Sequence, residues 1–215
     1  MDARYHKPTF ERIPPEKQAR VIETAIAEFA TKGFDNANIN TIAEKAGVSV
    51  GSLYKYFDSK ESLFLTVIHH GLETLEAAMK DAVESGDDIM VKTEKIIRLI
   101  QSHSRQNRDL IRLYNEITSE SNSELVRKLS RDMEEITSRT YSELIVKAQE
   151  EGEVRKDLDP HLYAYFVDCL FMTLQFSYAC DYYQERFKIY AGDDILERDE
   201  AVVRQLLGFL EAAFK

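Results

Sequence analysis

The stretch from Gly33 to Phe64, GFDNANINTIAEKAGVSVGSLYKYFDSKESLF, leaves this chain few choices of fold. It reads as two short helices and the opening turn of a longer one. The break between the first two is very brief: Ala43 to Ala46 run into Gly47, then Val48 and Ser49, and a new apolar and aromatic run starts at once. A glycine there permits the left-handed backbone that ends a helix, and Ser49 can cap the first orphan amides of the next. Helices joined by so short a turn cross steeply, which is the geometry of a helix-turn-helix. The second helix, Val50 to Tyr56, carries Ser52, Tyr54, Lys55 and Tyr56, side chains suited to phosphates and base edges.

The rest of the chain agrees with a helical protein. Four prolines and eight glycines in 215 residues are few enough to favour an all-α fold. No apolar run approaches the ~20 residues of a membrane span. The N-terminus, MDARYHKPTF, has no apolar signal region, so a cytoplasmic protein is expected. The net charge of −10 argues at first against a nucleic-acid partner, but its distribution answers that. Residues 1–70 hold nine Lys/Arg and nine Asp/Glu, and the remainder carries the whole negative excess. A few placed cations, among them Lys55 and Lys60, can therefore still face phosphates. Cys169 and Cys180 are expected on one helix, roughly 16 Å apart along its axis, too far for a mutual disulfide. Neither belongs to a CxxC pair and the five histidines lack ligand spacing, so no metal and no cofactor are expected.

Residues 1–14 form a polar arm with Arg4, His6, Lys7 and Arg12, either frayed or reaching for DNA beside the main contact. Pro14-Pro15 starts a helix with one apolar stripe (Ile22, Ala25, Ile26, Phe29, Ala30), which Lys32-Gly33-Phe34 ends. Asn38 caps the next helix. Leu53 and Phe57 are the inward positions of the third. Asp58 and Glu61 fit a capping box opening a fourth, about 37 Å long if it runs to Glu84. Helices are expected at Ile89 to about Ser104, Leu110 to Thr118, Glu124 to Glu151 after a polar stretch at Ser119 to Ser123, and 196–214. One more, His161 to Tyr190 behind the cap Asp159 and Pro160, has aromatics on all sides and so is expected to be buried on more than one face.

Three motifs carry a resemblance: Phe29…Lys32-Gly33-Phe34; Ile42-Ala43-Glu44-Lys45-Ala46-Gly47-Val48-Ser49; and Gly51-Ser52-Leu53-Tyr54-Lys55-Tyr56-Phe57…Lys60-Glu61…Leu63-Phe64. Over about residues 15–65 the chain resembles the TetR/AcrR family of bacterial transcriptional regulators. The resemblance implies about nine helices. Three form a helix-turn-helix DNA-binding domain (15–58), and the rest form an effector-binding and dimerisation domain (59–215). It implies a homodimer on a palindromic operator in double-stranded DNA, paired through helices near 160–190 and 196–214. It places Asn38 and Asn40 beside phosphate or base, Ser49, Val50, Gly51, Ser52, Tyr54, Lys55 and Tyr56 on the recognition helix, and Lys60 at the next helix start. There a phosphate would suit both the cation and the helix N-terminus. The recognition helix has no Arg, Asn or Gln, the residues best suited to bidentate base contacts, so specificity must lean on Asn40, Ser49, Ser52, Lys55, apolar contacts from Val50, or DNA shape.

The expected mechanism is a repressor released when a small-molecule effector enters the C-terminal domain and changes the spacing of the two recognition helices. His103, Tyr114, Phe171, Gln175 and Tyr178 are candidate pocket residues, chosen for aromatic or polar character on helices placed to enclose a cavity. An architectural dimer without an effector is the alternative. An enzyme is not expected: Glu134-Glu135 and Glu150-Glu151 lack the Glu-x-x-His pattern of di-iron bundles, and there is no nucleophile constellation or glycine-rich phosphate loop.

Overall fold

A computed structural model describes residues 5–118 and 123–215; for residue 81, residues 123–133 and residue 136 it describes the backbone alone. Among the described residues all regular structure is helical. The order is α1 (Pro8–Glu11), α2 (Pro15–Asn36), α3 (Ile39–Ala46), α4 (Val50–Tyr56), α5 (Lys60–Val83), α6 (Ile89–Gln106), α7 (Arg108–Thr118), α8 (Ser123–Glu151), α9 (Pro160–Ala179), α10 (Asp181–Ala191) and α11 (Asp199–Phe214). The residues between α7 and α8, most of the expected polar stretch, lie outside the described residues, as do Asp2 and Arg4 of the arm.

Two of these helices were not expected. The arm holds the single turn α1, with Pro8 at its start and Phe10 buried beneath it. The aromatic helix expected over 160–190 is two, broken at Cys180, whose backbone is extended (φ −106°, ψ 130°). The Ala179 carbonyl before the break is held from α7, where Arg108 Nε donates at 2.9 Å and Arg112 Nε at 3.2 Å. Both guanidinium groups also pair with Asp181, the first residue of α10. These contacts satisfy a carbonyl that would otherwise be left open at a helix end.

Most sequence-derived caps are in place. Asp159 accepts from the amides of His161 and Leu162. Asp88, not an expected cap, also caps α6 by accepting from the amides of Met90 and Val91. The start of α5 differs. Ser59, not Asp58, is its cap, accepting from the Ser62 amide at 3.1 Å.

The apolar side chains form two main cores. The N-terminal one gathers Phe10, Val21, Ala25, Phe29, Ile42, Leu53, Phe57 and the Leu63–Ile68 turns of α5. It does not close on itself: Leu113 (0% exposed) and Ile117 of α7 complete it. The second core is built from α5, α6, α8, α9 and α11, with Met79, Ile97, Tyr141, Phe171 and Leu210 among its members. So α5 belongs to both cores, and α7 reaches α9 through a third, smaller cluster in which Ile111 packs with Phe176 and Ala179. Helices α5 and α7 also approach closely, since a methyl group at Gly71 would lie 2.9 Å from Leu110 Cδ2. No helix among the described residues is long and apolar enough to cross a membrane.

Candidate functional site

The helix-turn-helix is fixed by short-range chemistry. Asn38 Oδ1 accepts from the Asn40 amide at 2.8 Å and so caps α3. The Asn38 amide in turn donates to Glu28 Oε1 of α2 at 3.3 Å. Glu28 is buried and pairs with Lys45 at 3.6 Å, so its charge is compensated. Gly47 adopts the left-handed conformation (φ 68°, ψ 36°), and the Val48 amide returns to Ala43 O at 2.9 Å. Ser49 Oγ then accepts from the Ser52 amide at 3.0 Å, starting α4.

On α4 the side chains divide by face. Leu53 and Tyr56 point into the core, whereas Gly51, Tyr54 and Lys55 are exposed, Tyr54 by 51%. Ser49 and Asn40 are exposed beside them, as is Asn38; Ser52 and Val50 are half-buried. Ser49 and Ser52 share a hydroxyl contact of 2.8 Å, and Val50 packs on the N-terminal core. No carboxylate among the described residues pairs with Lys55. The result is an exposed helix face of hydroxyl, phenol and ammonium groups with a glycine at its N-terminal end.

Two of the sequence-derived assignments change. Tyr56 is 8% exposed, with its ring against Phe10 (centroids 5.8 Å apart) and Phe57. It is a core residue, and its large apolar ring explains why. Lys60 does not hold its ammonium out over the α5 N-terminus. Nζ donates to Asp35 O at 2.9 Å and Ala37 O at 3.3 Å, above the Phe34 ring, and so ties the end of α2 to α5.

The arm contributes what the sequence alone left open. The Lys7 amide donates to Tyr56 O at 2.8 Å, Lys7 Nζ to Tyr54 O at 2.9 Å, and Thr9 Oγ1 to Lys55 O. Lys7 Nζ also pairs with Asp58 at 2.8 Å. Three terminal carbonyls of the recognition helix are thus capped by the arm, with Phe10 anchoring it between Tyr56 and Phe57. A lone apolar Phe10 after Lys7-Pro8 was the available signal.

Gly51 is not demanded by the protein's own packing. A Cβ there would meet only Ser49 Oγ, at 3.9 Å. Gly51→Ala should therefore leave thermal stability unchanged or raise it by up to about 1 kcal/mol, the helix-propensity gain. If the glycine serves close approach to a groove, the same change should weaken specific DNA binding about tenfold. Unaltered binding in a gel-shift titration would remove that role.

A cavity opens among α5, α6, α7, α8 and α9, with about 900 Å³ of empty space when the open solvent at its mouth is included. Ile68, Leu72 and Leu75 of α5, Ile96 and Ile100 of α6, Ile111 of α7 and Phe171 of α9 give it mainly apolar walls. Four of the five sequence-derived pocket residues line it: His103, Tyr114, Phe171 and Gln175. Tyr178 does not. It lies further along the same face of α9, beyond the cavity, in a polar cluster joining α6, α9 and α11. There it accepts from Gln101 Nε2 at 2.9 Å and donates to Asp199 Oδ1 at 3.1 Å, under the Arg105 guanidinium.

Asp168, Tyr141 and Ser104 also line the cavity and were not anticipated. Burial pushes the Asp168 carboxyl up to about 6, and the nearby charge of Glu134 adds to this. Burial also lowers the His103 pKa, favouring the neutral ring. Tyr114 donates to Glu134 Oε1 at 3.3 Å, and burial raises its phenol pKa.

Residues 21–67 match the model of the bacterial regulatory proteins of the tetR family. This segment is a TetR-type DNA-binding domain. The TetR-type domain is 28% identical over 96 residues to YuxN of Bacillus subtilis, an uncharacterised HTH-type transcriptional regulator, covering 45% of this chain and 33% of YuxN. To the transcriptional repressor KstR2 of Rhodococcus jostii it is 31% identical over 81 residues, 38% of this chain and 40% of that protein. The chain thus spans well under half the length of these curated relatives. The fold extends further: the transcriptional regulator FadR from Bacillus subtilis, solved in complex with stearoyl-CoA, superposes with a TM-score of 0.71. That match covers 88% of this chain and 97% of FadR at 18% identity.

Proposed function

We propose that the protein is a homodimeric transcriptional repressor that leaves a palindromic operator when a small, largely apolar molecule enters the cavity. Residues 15–58 form the DNA-binding unit, with the 1–14 arm bracing its recognition helix, and residues 59–215 bind effector and partner. The reading rests above all on the position of α7. Leu113 and Ile117 of this helix belong to the N-terminal core, while Leu110, Ile111 and Tyr114 line the cavity. A molecule filling the cavity acts directly on a helix that seats the DNA-binding unit, and α5 offers a second route. A coupling of about 1–3 kcal/mol suffices for such a switch. FadR supports this reading as a protein of the same fold solved with stearoyl-CoA, and KstR2 as a similar repressor.

DNA contact falls to Asn40, Ser49, Gly51, Ser52, Tyr54 and Lys55, with Asn38 and Val50 at the margin. These groups suit phosphates and shape readout better than bidentate base recognition. Dimerisation falls to α9 and α11, whose outer faces leave Leu162 (57%), Tyr165 (61%), Phe166 (56%) and Phe209 (61%) exposed. Footprinting on DNA flanking the protein's own gene tests the whole reading. One or a few protected palindromes, released by a small molecule, are expected. Protection of many unrelated sites, with no small molecule altering it, would favour an architectural dimer.

A further inference from the structure

We infer that the effector is an apolar amine, held with its protonated nitrogen against Asp168. The inference rests on the proposed function and narrows it to a ligand class. Asp168 is the only carboxylate in α9, a helix that otherwise carries no Asp, Glu, Lys or Arg, and it lines the cavity. Among the described residues no lysine or arginine lines that cavity and no cation pairs with Asp168. The other charge that reaches it, Glu134 of α8, is negative. The phenols of Tyr114 and Tyr141, the imidazole of His103, whose pKa burial lowers, Thr137 and Gln175 are the other polar groups of the lining, besides Ser104.

A partly buried carboxylate without a cation is unfavourable, and such groups are kept where a ligand supplies the missing charge. A second, independent feature points to a ligand. Ser104 of α6 lines the same cavity and is 0% exposed, yet its Oγ has no hydrogen-bond partner among the described residues. Buried hydroxyls are ordinarily satisfied, within helices often by the carbonyl one turn back. Apolar walls, one uncompensated anion and one unpaired hydroxyl describe a site for a hydrophobic cation with a further polar group. An acyl carboxylate or a phosphate would find no cation among the described lining residues and would face Asp168 with like charge.

Octylamine, octyl alcohol and octanoate present the same chain with positive, neutral and negative heads, so calorimetric titration of each into the full-length protein separates charge from apolar burial. Octylamine should bind at least tenfold more tightly than the alcohol, and octanoate more weakly than both. Asp168→Asn, close in size and shape, should erase the amine's advantage and leave the alcohol's affinity unchanged. Asp168→Glu should retain much of the advantage. Thermal unfolding verifies that both variants fold. Octanoate binding as tightly as octylamine, or an amine preference surviving in Asp168→Asn, overturns the assignment. Alcohol binding without amine preference does so too, while leaving an apolar effector in place. If none of the three binds, the cavity is not the effector site and both readings fall, whereas the DNA-binding assignment, measured separately, stands.

Discussion

Replacing Gly33 with alanine should destabilise the chain by several kcal/mol and weaken DNA binding at the same time. Gly33 sits at φ 72° and ψ 166°, inside a kink near the end of α2. That combination belongs to a region essentially reserved for glycine, and forcing another residue there costs about 1–3 kcal/mol. The surroundings add to this. A Cβ at Gly33 would lie 2.5 Å from Glu116 Oε1, so Glu116 would have to move and lose the backbone hydrogen bond it accepts from Phe34. Its carboxyl is already raised by burial, so an uncompensated carboxylate would be the second cost. For a protein of this size each kcal/mol lowers Tm by about 2–4 °C, so a fall of about 5–15 °C in a calorimetric scan is expected. In the double variant Gly33→Ala/Glu116→Ala the steric share should be recovered and the backbone share not, a non-additive cycle. Full additivity would mean that the two residues act separately.

The position of this contact gives the prediction functional weight. Glu116 belongs to α7, whose Leu110, Ile111 and Tyr114 line the cavity, while the segment after Gly33 leads into Ala37 and the Asn38 cap of α3. Lys60 holds the same segment from the other side through Asp35 O and Ala37 O. The end of α2 is therefore clasped between α7 and α5, and a shift of either helix reaches α3 and α4 through it.

Features punctuated locally were legible in the sequence. Asn38, Gly47 and Ser49 each act on backbone groups within a few residues, so their identity and spacing carried the helix-turn-helix directly. Features set by distant partners were not. Nothing at Cys180 announces a break, because the break is stabilised by Arg108 and Arg112, about seventy positions away in the sequence. Lys60 has the composition of a phosphate ligand and is used to close a turn. Tyr56 and Tyr54, two residues apart, are chemically alike, and only the packing of Phe10 from the arm settles which of them is core. Asp168 carried a signal that could have been used: a single acid in an aromatic helix must face water, a partner or a cavity.

Placing a charge on the α9–α11 face should have the largest effect on DNA binding of any change outside the helix-turn-helix. Phe209 is 61% exposed on α11, and a groove between α9, α10 and α11 runs beside it past Leu170, Leu174 and Leu206. Single exposed aromatics are ordinary, but Leu162, Tyr165 and Phe166 of α9 and Phe209 of α11 are all exposed on the two helices to which the proposed dimer is assigned. In a two-fold dimer each substitution occurs twice, so Phe209→Glu removes two anchors and brings in two charges that must be desolvated. The dimer should dissociate to monomers at micromolar concentration in sedimentation velocity. Each half-operator would then be bound separately, and loss of linkage between two sites reduces affinity by about 10²–10⁴. Helix content should persist, since Phe209 is not part of either main core. Val91→Glu supplies the control: Val91 is also exposed (39%) but lies on α6, not on α9 or α11, and should leave assembly and binding intact. A Phe209→Glu protein that remains dimeric and binds its operator normally would move the interface elsewhere on the molecule.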